Sequence, residues 1–335
     1  MVNLAKYFSE NRYDTSLVTS FRDTWEYPLA PTVKRLTLEE TEIKQSRIKR
    51  NLSRIKKLRD LCKSEKPDIL ISFMAEPNFR AVLATIGLPV RTIVSVRNDP
   101  NREYAGSLGH FVGKVILPLA DGCVFQTEEA KLWFPKRLQK KSAVIYNAVK
   151  EDFFNIERAP IPGEIITCGR LEPQKNHKLL IDAFAEVSKL YPEAVLKIYG
   201  DGSLKYQLRQ QIGDLGLHGK VFLMGTTDHV EEALRTADLF VLSSDYEGMP
   251  NALMEAMAAG VPCISTDCPC GGPRELFGEN KYNSLFKCGD KEELTRKICD
   301  FFSSGVVHSD LKNVAKAFRT EKVNLHWKTY ITPNN

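Results

Sequence analysis

The sequence predicts an α/β protein with two domains, each built on a doubly wound parallel sheet. Its 335 residues are enough for two domains that each bury a core of their own. In the second half, short segments that are apolar on both faces alternate with amphipathic helical segments, which is typical of parallel strands covered by helices. The first half repeats this alternation less regularly. Between the halves, Asn147–Gly163 contains Pro160 and Pro162 and is interpreted as a linker.

The hydrophobic pattern also places the individual elements. Strands are expected in the second half at Glu164–Cys168, Ala194–Tyr199, Lys220–Met224, Asp238–Leu242 and Val261–Thr266, and helices at Lys178–Leu190, Ser203–Ile212, His229–Arg235 and Met249–Ala258. Strands are expected in the first half at Thr15–Thr19, Asp68–Phe73, Val90–Ser95, Gly122–Phe125 and Ala143–Tyr146. A long helix is expected at Glu39–Cys62, with Ile48, Leu52, Ile55 and Cys62 on its inner face. These elements predict domains at residues 1–150 and 151–318, and a helix at 319–335 that returns to the first domain.

Composition favours a cytoplasmic protein without metal or cofactor. No apolar run reaches 18 residues, and the first residues lack the basic head and apolar stretch of a signal peptide. The 8 cysteines lie mostly in apolar runs, where reduced thiols act as small hydrophobic groups. Cys263, Cys268 and Cys270 lack the paired spacing of a structural zinc site, and no Asp-x-Asp is present to hold Mg²⁺ or Mn²⁺.

The net charge of +5 conceals an asymmetry between the halves. Residues 1–150 carry 26 Lys and Arg against 16 Asp and Glu, whereas residues 151–335 carry 21 against 26. Lys34–Lys66 alone has 12 basic and 5 acidic residues. This stretch is either attracted to an anionic membrane face or a phosphorylated acceptor, or it is simply a solvated helix face. A nucleic-acid partner is not predicted.

The most informative segment is Asp238–Thr266, where a strand is followed by a polar loop and a helix. Pro250 lies where this helix begins, so its free backbone N–H groups form a site suited to an anion. Glu247 lies in the loop, and Glu255 follows eight positions later in the helix. Because Glu255 has only apolar neighbours in the helix, a ligand for its carboxylate is favoured over plain solvent exposure.

A second segment, Gly169–Asn176, directly follows a strand and precedes a helix. Arg170 offers a planar guanidinium and Lys175 a mobile ammonium, which together suit a diphosphate. Fixed cations stabilise a leaving diphosphate without a metal. A solvent-exposed basic loop is the alternative interpretation of this segment taken alone.

Together these segments resemble a known family. The Arg–Lys loop, Gly200–Gly202, the strand Val221–Gly225, the Glu-x7-Glu segment and the run Ser265–Leu276 occur in the order and spacing found in glycosyltransferase family 4, the "glycosyltransferases group 1" domain family. The likeness is strong over Ile165–Asp290. The chain is particularly similar to bacterial enzymes that build capsule, exopolysaccharide or lipopolysaccharide repeat units.

The resemblance implies a GT-B fold and a retaining, metal-independent hexosyltransferase of surface polysaccharide biosynthesis. It implies that the donor is a nucleotide-diphosphate sugar, most simply a UDP-sugar, and that the acceptor is lipid-linked or an oligosaccharide. Carried over by position, Arg170 and Lys175 bind the donor diphosphate, and Glu247 holds the transferred sugar. Glu255 holds the ribose, and the loop after Leu223 meets the base. The remaining expected substrate-binding positions are Gly169, Gly248, Met249, Pro250, Asn251, Ala252 and Leu253.

The first half departs from the family pattern in two places. Where relatives place a histidine after the strand Val90–Ser95, this chain has Arg97 and Asp99, which either contact the substrates or are ordinary turn residues. Relatives also open with a strand and a glycine-rich loop, whereas this chain opens within a helix. The first strand is therefore expected to be absent. This leaves a second hypothesis, a non-catalytic homologue that binds a sugar nucleotide or a partner glycosyltransferase.

Overall fold

The structure, a computed structural model, describes residues 1–22, 27–41, 46–278, 284–304 and 311–332. It divides into two compact α/β units. The first comprises Met1–Ile145 together with Trp327–Asn335, and the second comprises Tyr146–His326.

The first unit opens with a helix and contains two parallel sheets. The helix α1 (Val2–Glu10) buries Ala5 and Phe8, as its apolar pattern predicts. The strands are β1 (Ser16–Thr19), β2 (Lys34–Thr37), β3 (Ile69–Phe73), β4 (Arg91–Ser95), β5 (Gly122–Phe125) and β6 (Ser142–Val144). Among the described residues, strands β1 and β2 pair only with each other, and β3–β4–β5–β6 form a four-stranded sheet in sequence order.

Helices connect β2 to β3 and join the successive strands of the four-stranded sheet, as parallel pairing requires. They are α2 (Arg47–Glu65), α3 (Ala75–Thr85), α4 (Pro100–Glu103), α5 (Gly106–Phe111), α6 (Glu128–Leu132) and α7 (Lys136–Gln139). A π-helical turn at Val112–Ile116 and a 3₁₀ turn at Leu117–Leu119 continue α5 as one helical segment.

The prediction of one helix over Glu39–Cys62 is wrong. Lys34–Thr37 is a strand, and α2 begins only at Arg47. Ile55 and Cys62 lie on the inner face as predicted, together with Arg54 and Leu58, whereas Ile48 and Leu52 face solvent. The reason is a long-range ion pair. Glu39 is buried, and one of its carboxylate oxygens lies 2.9 Å from the Arg54 guanidinium, which allows a charged side chain to occupy the inner face.

The second unit is built on one six-stranded parallel sheet. Its strands are β7 (Glu164–Cys168), β8 (Val195–Tyr199), β9 (Val221–Gly225), β10 (Leu239–Leu242), β11 (Cys263–Asp267) and β12 (Leu285–Lys287). Their order is β12–β11–β10–β7–β8–β9, so β7 and β10 are central neighbours. The helices are α8 (Glu151–Phe154), α9 (His177–Leu190), α10 (Lys205–Asp214), α11 (Val230–Thr236), α12 (Asn251–Ala258), α13 (Gly272–Phe277), α14 (Lys291–Ser304), α15 (Leu311–Ala315) and α16 (Thr320–Ile331).

Two apolar clusters cover the two faces of this sheet, as the both-face hydrophobic pattern predicts. One contains Phe240, Leu253 and Met257, and the other contains Ile165, Phe184 and Leu196. The linker prediction is wrong in part, because Asn147–Gly163 contains α8, whose Phe153 and Phe154 join the first cluster.

The last helix, α16, contributes its final residues to the first unit. Trp327 packs against Phe73, with ring centroids 5.6 Å apart. The Tyr330 hydroxyl accepts a hydrogen bond from the Cys123 amide at 2.9 Å and donates to the Lys141 carbonyl at 2.6 Å. Among the described residues, no helix combines the length and apolar character needed to cross a bilayer.

Candidate functional site

The predicted site residues of the second unit gather at the carboxyl ends of its two central strands. Residues 169–176 follow β7, and residues 243–250 follow β10, which pairs directly with β7. The carboxyl ends of neighbouring parallel strands meet at one edge of a sheet, where ligands of open α/β folds bind. Two segments far apart in sequence therefore form one site.

A buried ion pair joins these two loops. The Lys175 ammonium lies 2.5 Å from one oxygen of the Glu247 carboxylate. The side chains are only 16% and 8% exposed, so water screens the attraction little. The sequence predicted both residues separately, for a diphosphate and for a sugar. The structure shows that each also holds the other in place.

Residues that the sequence analysis did not single out support this pair. Ser244 donates a 2.8 Å hydrogen bond to the Glu247 carboxylate, and the Gln174 amide group donates to the Tyr246 carbonyl at 3.0 Å. Asn176 donates to the Asp245 carboxylate at 2.7 Å, which ties the start of α9 to the β10 loop. Short polar residues flanking the predicted ones were the available signal, but the partners of Gln174 and Asn176 lie 72 and 69 residues away.

Two glycines allow the backbone to approach closely at this edge. A Cβ at Gly272 would lie 1.9 Å from the Gly248 carbonyl oxygen, and a Cβ at Gly200 would lie 2.0 Å from the Gly169 carbonyl oxygen. Gly200 also has a φ of +142°, which side chains rarely adopt. Gly200–Gly202 and the start of α13 are therefore packed against the site loops.

The start of α12 presents backbone N–H groups beside the ion pair. Pro250 is the N-cap and α12 begins at Asn251, so its first amides have no acceptor within the helix. Arg170 is exposed on the neighbouring loop. Its guanidinium can therefore bind an anion without leaving another charged side chain buried and unpaired. Oriented amides together with Arg170 and Lys175 suit a diphosphate.

Glu255 lies in α12, and burial raises the pKa of its carboxyl to about 7, although Lys150 acts in the opposite direction. No hydrogen bond or ion pair to this carboxylate is recorded among the described residues. A half-protonated, unpartnered carboxyl in an apolar helix needs a donor such as a hydroxyl group to stay ionised.

The remaining expected positions in this unit fall into two groups. Gly248, Met249, Pro250 and Leu253 are buried, so only their backbone is available to a ligand, whereas Asn251 is exposed and Ala252 is half-buried. Leu223 is half-buried in β9, whose last residue, Gly225, accepts a hydrogen bond from the Gly200 amide. Leu223 therefore borders the same glycine loop that supports Gly169.

His177, the first residue of α9, was not predicted as a site residue. Its ring is buried, and burial lowers its pKa to about 4, even though the Gly169 and Arg170 backbone favours the protonated form. The ring is thus neutral at neutral pH. The ring lies against the backbone of Gly169 and Arg170 and supports the loop that carries Arg170.

Arg97 and Asp99 lie in the first unit, at the carboxyl end of β4. The Arg97 guanidinium lies 4.7 Å from the Phe73 ring centroid and 5.6 Å from that of Trp327, and burial lowers its pKa to about 10. Asp99 is buried and accepts a hydrogen bond from the Asn101 amide at 3.0 Å, so it caps α4. Both residues thus have structural roles within their own unit.

Comparison with known proteins places this site in context. The profile of the family described as Glycosyl transferases group 1 matches residues 149–318. An uncharacterized glycosyltransferase of Methanocaldococcus jannaschii is 31% identical over 254 residues, which cover 68% of this chain and 62% of that protein. The chain thus spans less than two thirds of the length of this relative.

A second relative has a specific name. It is the N-acetylgalactosamine-N,N'-diacetylbacillosaminyl-diphospho-undecaprenol 4-alpha-N-acetylgalactosaminyltransferase of Campylobacter jejuni, 27% identical over 78% of this chain and 74% of that protein. Among solved structures, Anabaena HepE in complex with UDP and glucose matches 99% of this chain and 95% of its own, with a TM-score of 0.78 and 17% identity. The sucrose-phosphate synthase of Thermosynechococcus elongatus matches 98% of this chain and 91% of its own, with a TM-score of 0.83 and 15% identity. These matches confirm the predicted GT-B fold class.

Proposed function

The chain belongs to the glycosyl transferases group 1 family, and from that premise we propose that it transfers a sugar from a UDP-sugar to a lipid-linked or oligosaccharide acceptor. The observation that carries this proposal is the buried Lys175–Glu247 pair beside the start of α12. It places a cation, a carboxylate and free amides at one sheet edge, which are the groups that a sugar diphosphate needs. The transferred sugar is a hexose or N-acetylhexosamine in this proposal.

Each site residue has a distinct task. Arg170, Lys175 and the amides at the start of α12 bind the diphosphate and stabilise the charge that develops as it leaves. Glu247 accepts hydrogen bonds from the sugar, and Glu255 accepts them from the ribose hydroxyls. Leu223 and the loop that follows it meet the base.

The proposed reaction retains the anomeric configuration and uses no metal. The acceptor attacks from the face that the diphosphate leaves, and the departing phosphate takes the acceptor proton. Because the departing phosphate itself takes this proton, no protein nucleophile is assigned. Side-chain cations and helix amides supply the positive charge that a metal ion would otherwise provide.

The relatives support the choice of acceptor. The Campylobacter protein is named for a diphospho-undecaprenol acceptor. An acceptor of this kind lies in a membrane, so the proposal places the chain at the cytoplasmic face of an anionic membrane in surface polysaccharide biosynthesis. Arg97 and Asp99 are retained only as acceptor-side candidates, since both are engaged within the first unit.

The test compares Arg170→Ala with Lys189→Ala, since Lys189 is an exposed lysine outside the site. Sugar transfer from UDP-sugars to lipid-linked oligosaccharides is measured with excess EDTA throughout. We expect kcat/KM to fall on the order of 10²–10³-fold for Arg170→Ala, because a cation opposite the leaving diphosphate is lost. The Lys189 variant should retain wild-type turnover.

Other outcomes separate the alternatives. UDP binding by the wild type without transfer to any acceptor would favour the non-catalytic homologue. Loss of transfer in EDTA that Mn²⁺ restores would rule out the metal-independent reaction. Wild-type turnover in Arg170→Ala would remove this residue from the diphosphate site.

A further inference from the structure

The first unit exposes a continuous line of large apolar side chains. They lie on the helical segment Gly106–Leu119, and we call them the apolar strip. The strip consists of Leu108, Phe111, Val115 and Leu119, which are 75%, 51%, 49% and 45% exposed. Spacings of three and four residues place all four on one face of the segment. The opposite face buries Gly113 and Leu117.

The strip continues beyond its own segment. Ile86, which is 51% exposed at the end of α3, lines the same small cavity as Leu119. The Arg59 guanidinium of α2 donates a 2.8 Å hydrogen bond to the Ile86 carbonyl. The apolar surface therefore borders the most basic helix of the chain.

Positive charge surrounds this apolar surface. Helix α2 carries 8 Lys and Arg against 2 Asp and Glu. Lys49, Lys56 and Lys63 recur at seven-residue spacing on its exposed face, and no ion pair of theirs is recorded among the described residues. Lys114 lies within the strip segment itself, between Phe111 and Val115.

The combination of exposed apolar side chains with neighbouring lysines indicates what binds to this surface. Surfaces that bind other proteins are depleted of lysine, whereas helices that lie on membranes combine an apolar face with lysines and arginines. We propose that the apolar strip inserts into the interfacial layer of a bilayer rich in anionic lipids, with the α2 lysines over the headgroups.

This inference goes beyond an attraction based on charge. Charge alone gives binding that disappears at high salt, when the screening length falls well below about 8 Å. Insertion of four apolar side chains adds a contribution that salt does not remove. It is also independent of the transfer reaction, since no residue of the strip belongs to the sugar-nucleotide site.

The experiment uses the full chain and vesicles of phosphatidylglycerol mixed with phosphatidylcholine. Leu108→Ser and Val115→Ser are combined in one variant, because both side chains are exposed and their loss leaves the core intact. The matched control combines Leu190→Ser and Leu325→Ser, which are 68% and 55% exposed in the second unit. In flotation at about 0.15 M salt, we expect binding to fall by about tenfold or more for the strip variant and to stay unchanged for the control.

A second readout reports insertion directly. Phe111→Trp should show blue-shifted and enhanced tryptophan emission when anionic vesicles are added, whereas Leu190→Trp should not. Arg170→Ala should bind vesicles like the wild type even though its transfer is lost, which separates this inference from the proposed function. Equal flotation of the strip variant and the wild type would overturn it. So would a wild-type dimer that the strip substitutions dissociate, because a second copy would then cover the strip.

Discussion

Within the part of the chain that the structure describes, the two units contain six strands each but arrange them in different sheets. In the second unit all six form one sheet, whereas the first unit divides them between a pair and a group of four. Every residue of β7 is buried, while β1 and β2 contain no buried residue at all. The difference shows that the stability of a strand depends on the side chains that cover it. Backbone hydrogen bonds that are open to water contribute little stability by themselves.

The largest expected effect concerns local stability. Amide hydrogen exchange of β1 and β2 should be on the order of 100-fold faster than that of β7, because these strands can open without uncovering a core. Exchange measured residue by residue in the wild type tests this. Equal protection of the two regions would mean that the β1–β2 pair opens only with the whole first unit.

A glycine tests how closely the second unit is packed around its site. Gly272→Ala should lower the free energy of unfolding by about 2–4 kcal/mol and weaken UDP binding, because the new methyl group would collide with the Gly248 carbonyl. Gly213→Ala is the control, since its nearest neighbour is a His218 ring nitrogen at 3.3 Å. Denaturant unfolding and calorimetry with UDP measure the two effects. Similar behaviour of the two variants would contradict the close approach.

Glu255 makes the second unit sensitive to pH. Its folded pKa is raised to about 7, so the folded chain holds a proton that the unfolded chain releases near its ordinary value of 4.5. Stability from this group is therefore fully present below that ordinary value and is lost as pH rises towards 7. Glu255→Gln should remove this decrease in the free energy of unfolding between acidic and neutral pH, which amounts to about 2–3 kcal/mol at most.

The Glu255 carboxyl should make ligand binding depend on pH in the opposite direction, so that affinity rises with pH. If the carboxylate accepts ribose hydroxyls, affinity for a UDP-sugar should fall by up to about tenfold between pH 8 and pH 6 as the group protonates. Titration calorimetry at both pH values, with Glu255→Gln as the comparison, measures it. A wild-type affinity that does not vary with pH would contradict the ribose role.

The smallest effect belongs to the first unit. Asp99→Ala should cost about 1 kcal/mol of stability, since Asp99 caps the short helix α4. Asp99→Asn keeps the acceptor oxygen and should cost much less. Thermal unfolding of the two variants measures the difference. A large loss of transfer in Asp99→Asn at wild-type stability would instead assign Asp99 to substrate binding.

The sequence predicted the strands β7 to β11 of the second unit within two residues, because their apolar pattern is local, but it did not predict β12. β7 was predicted with its observed ends, since five successive residues are buried. The first unit was harder, because β2 reads Lys-Arg-Leu-Thr and carries no apolar alternation. The inner face of α2 depended on Glu39, which neutralises Arg54 from outside the helix. No periodicity within α2 reveals that partner.

The site shows the same limit. Arg170, Lys175, Glu247 and Glu255 are predicted as site residues from their order and spacing along the chain. The contact between Lys175 and Glu247 is not predicted, because 72 residues separate them and only the pairing of β7 with β10 brings them together. His177 was missed because a buried neutral histidine leaves no mark on the hydrophobic pattern.

The shared helix α16 has a consequence for the order in which the chain folds during synthesis. The first unit needs Trp327 and Tyr330, which the ribosome adds after the whole second unit. The amide of Cys123 and the carbonyl of Lys141 therefore gain their partner, Tyr330, only 207 and 189 residues later in the chain. All residues of the second unit are therefore synthesised before the first unit receives the side chains of Trp327 and Tyr330.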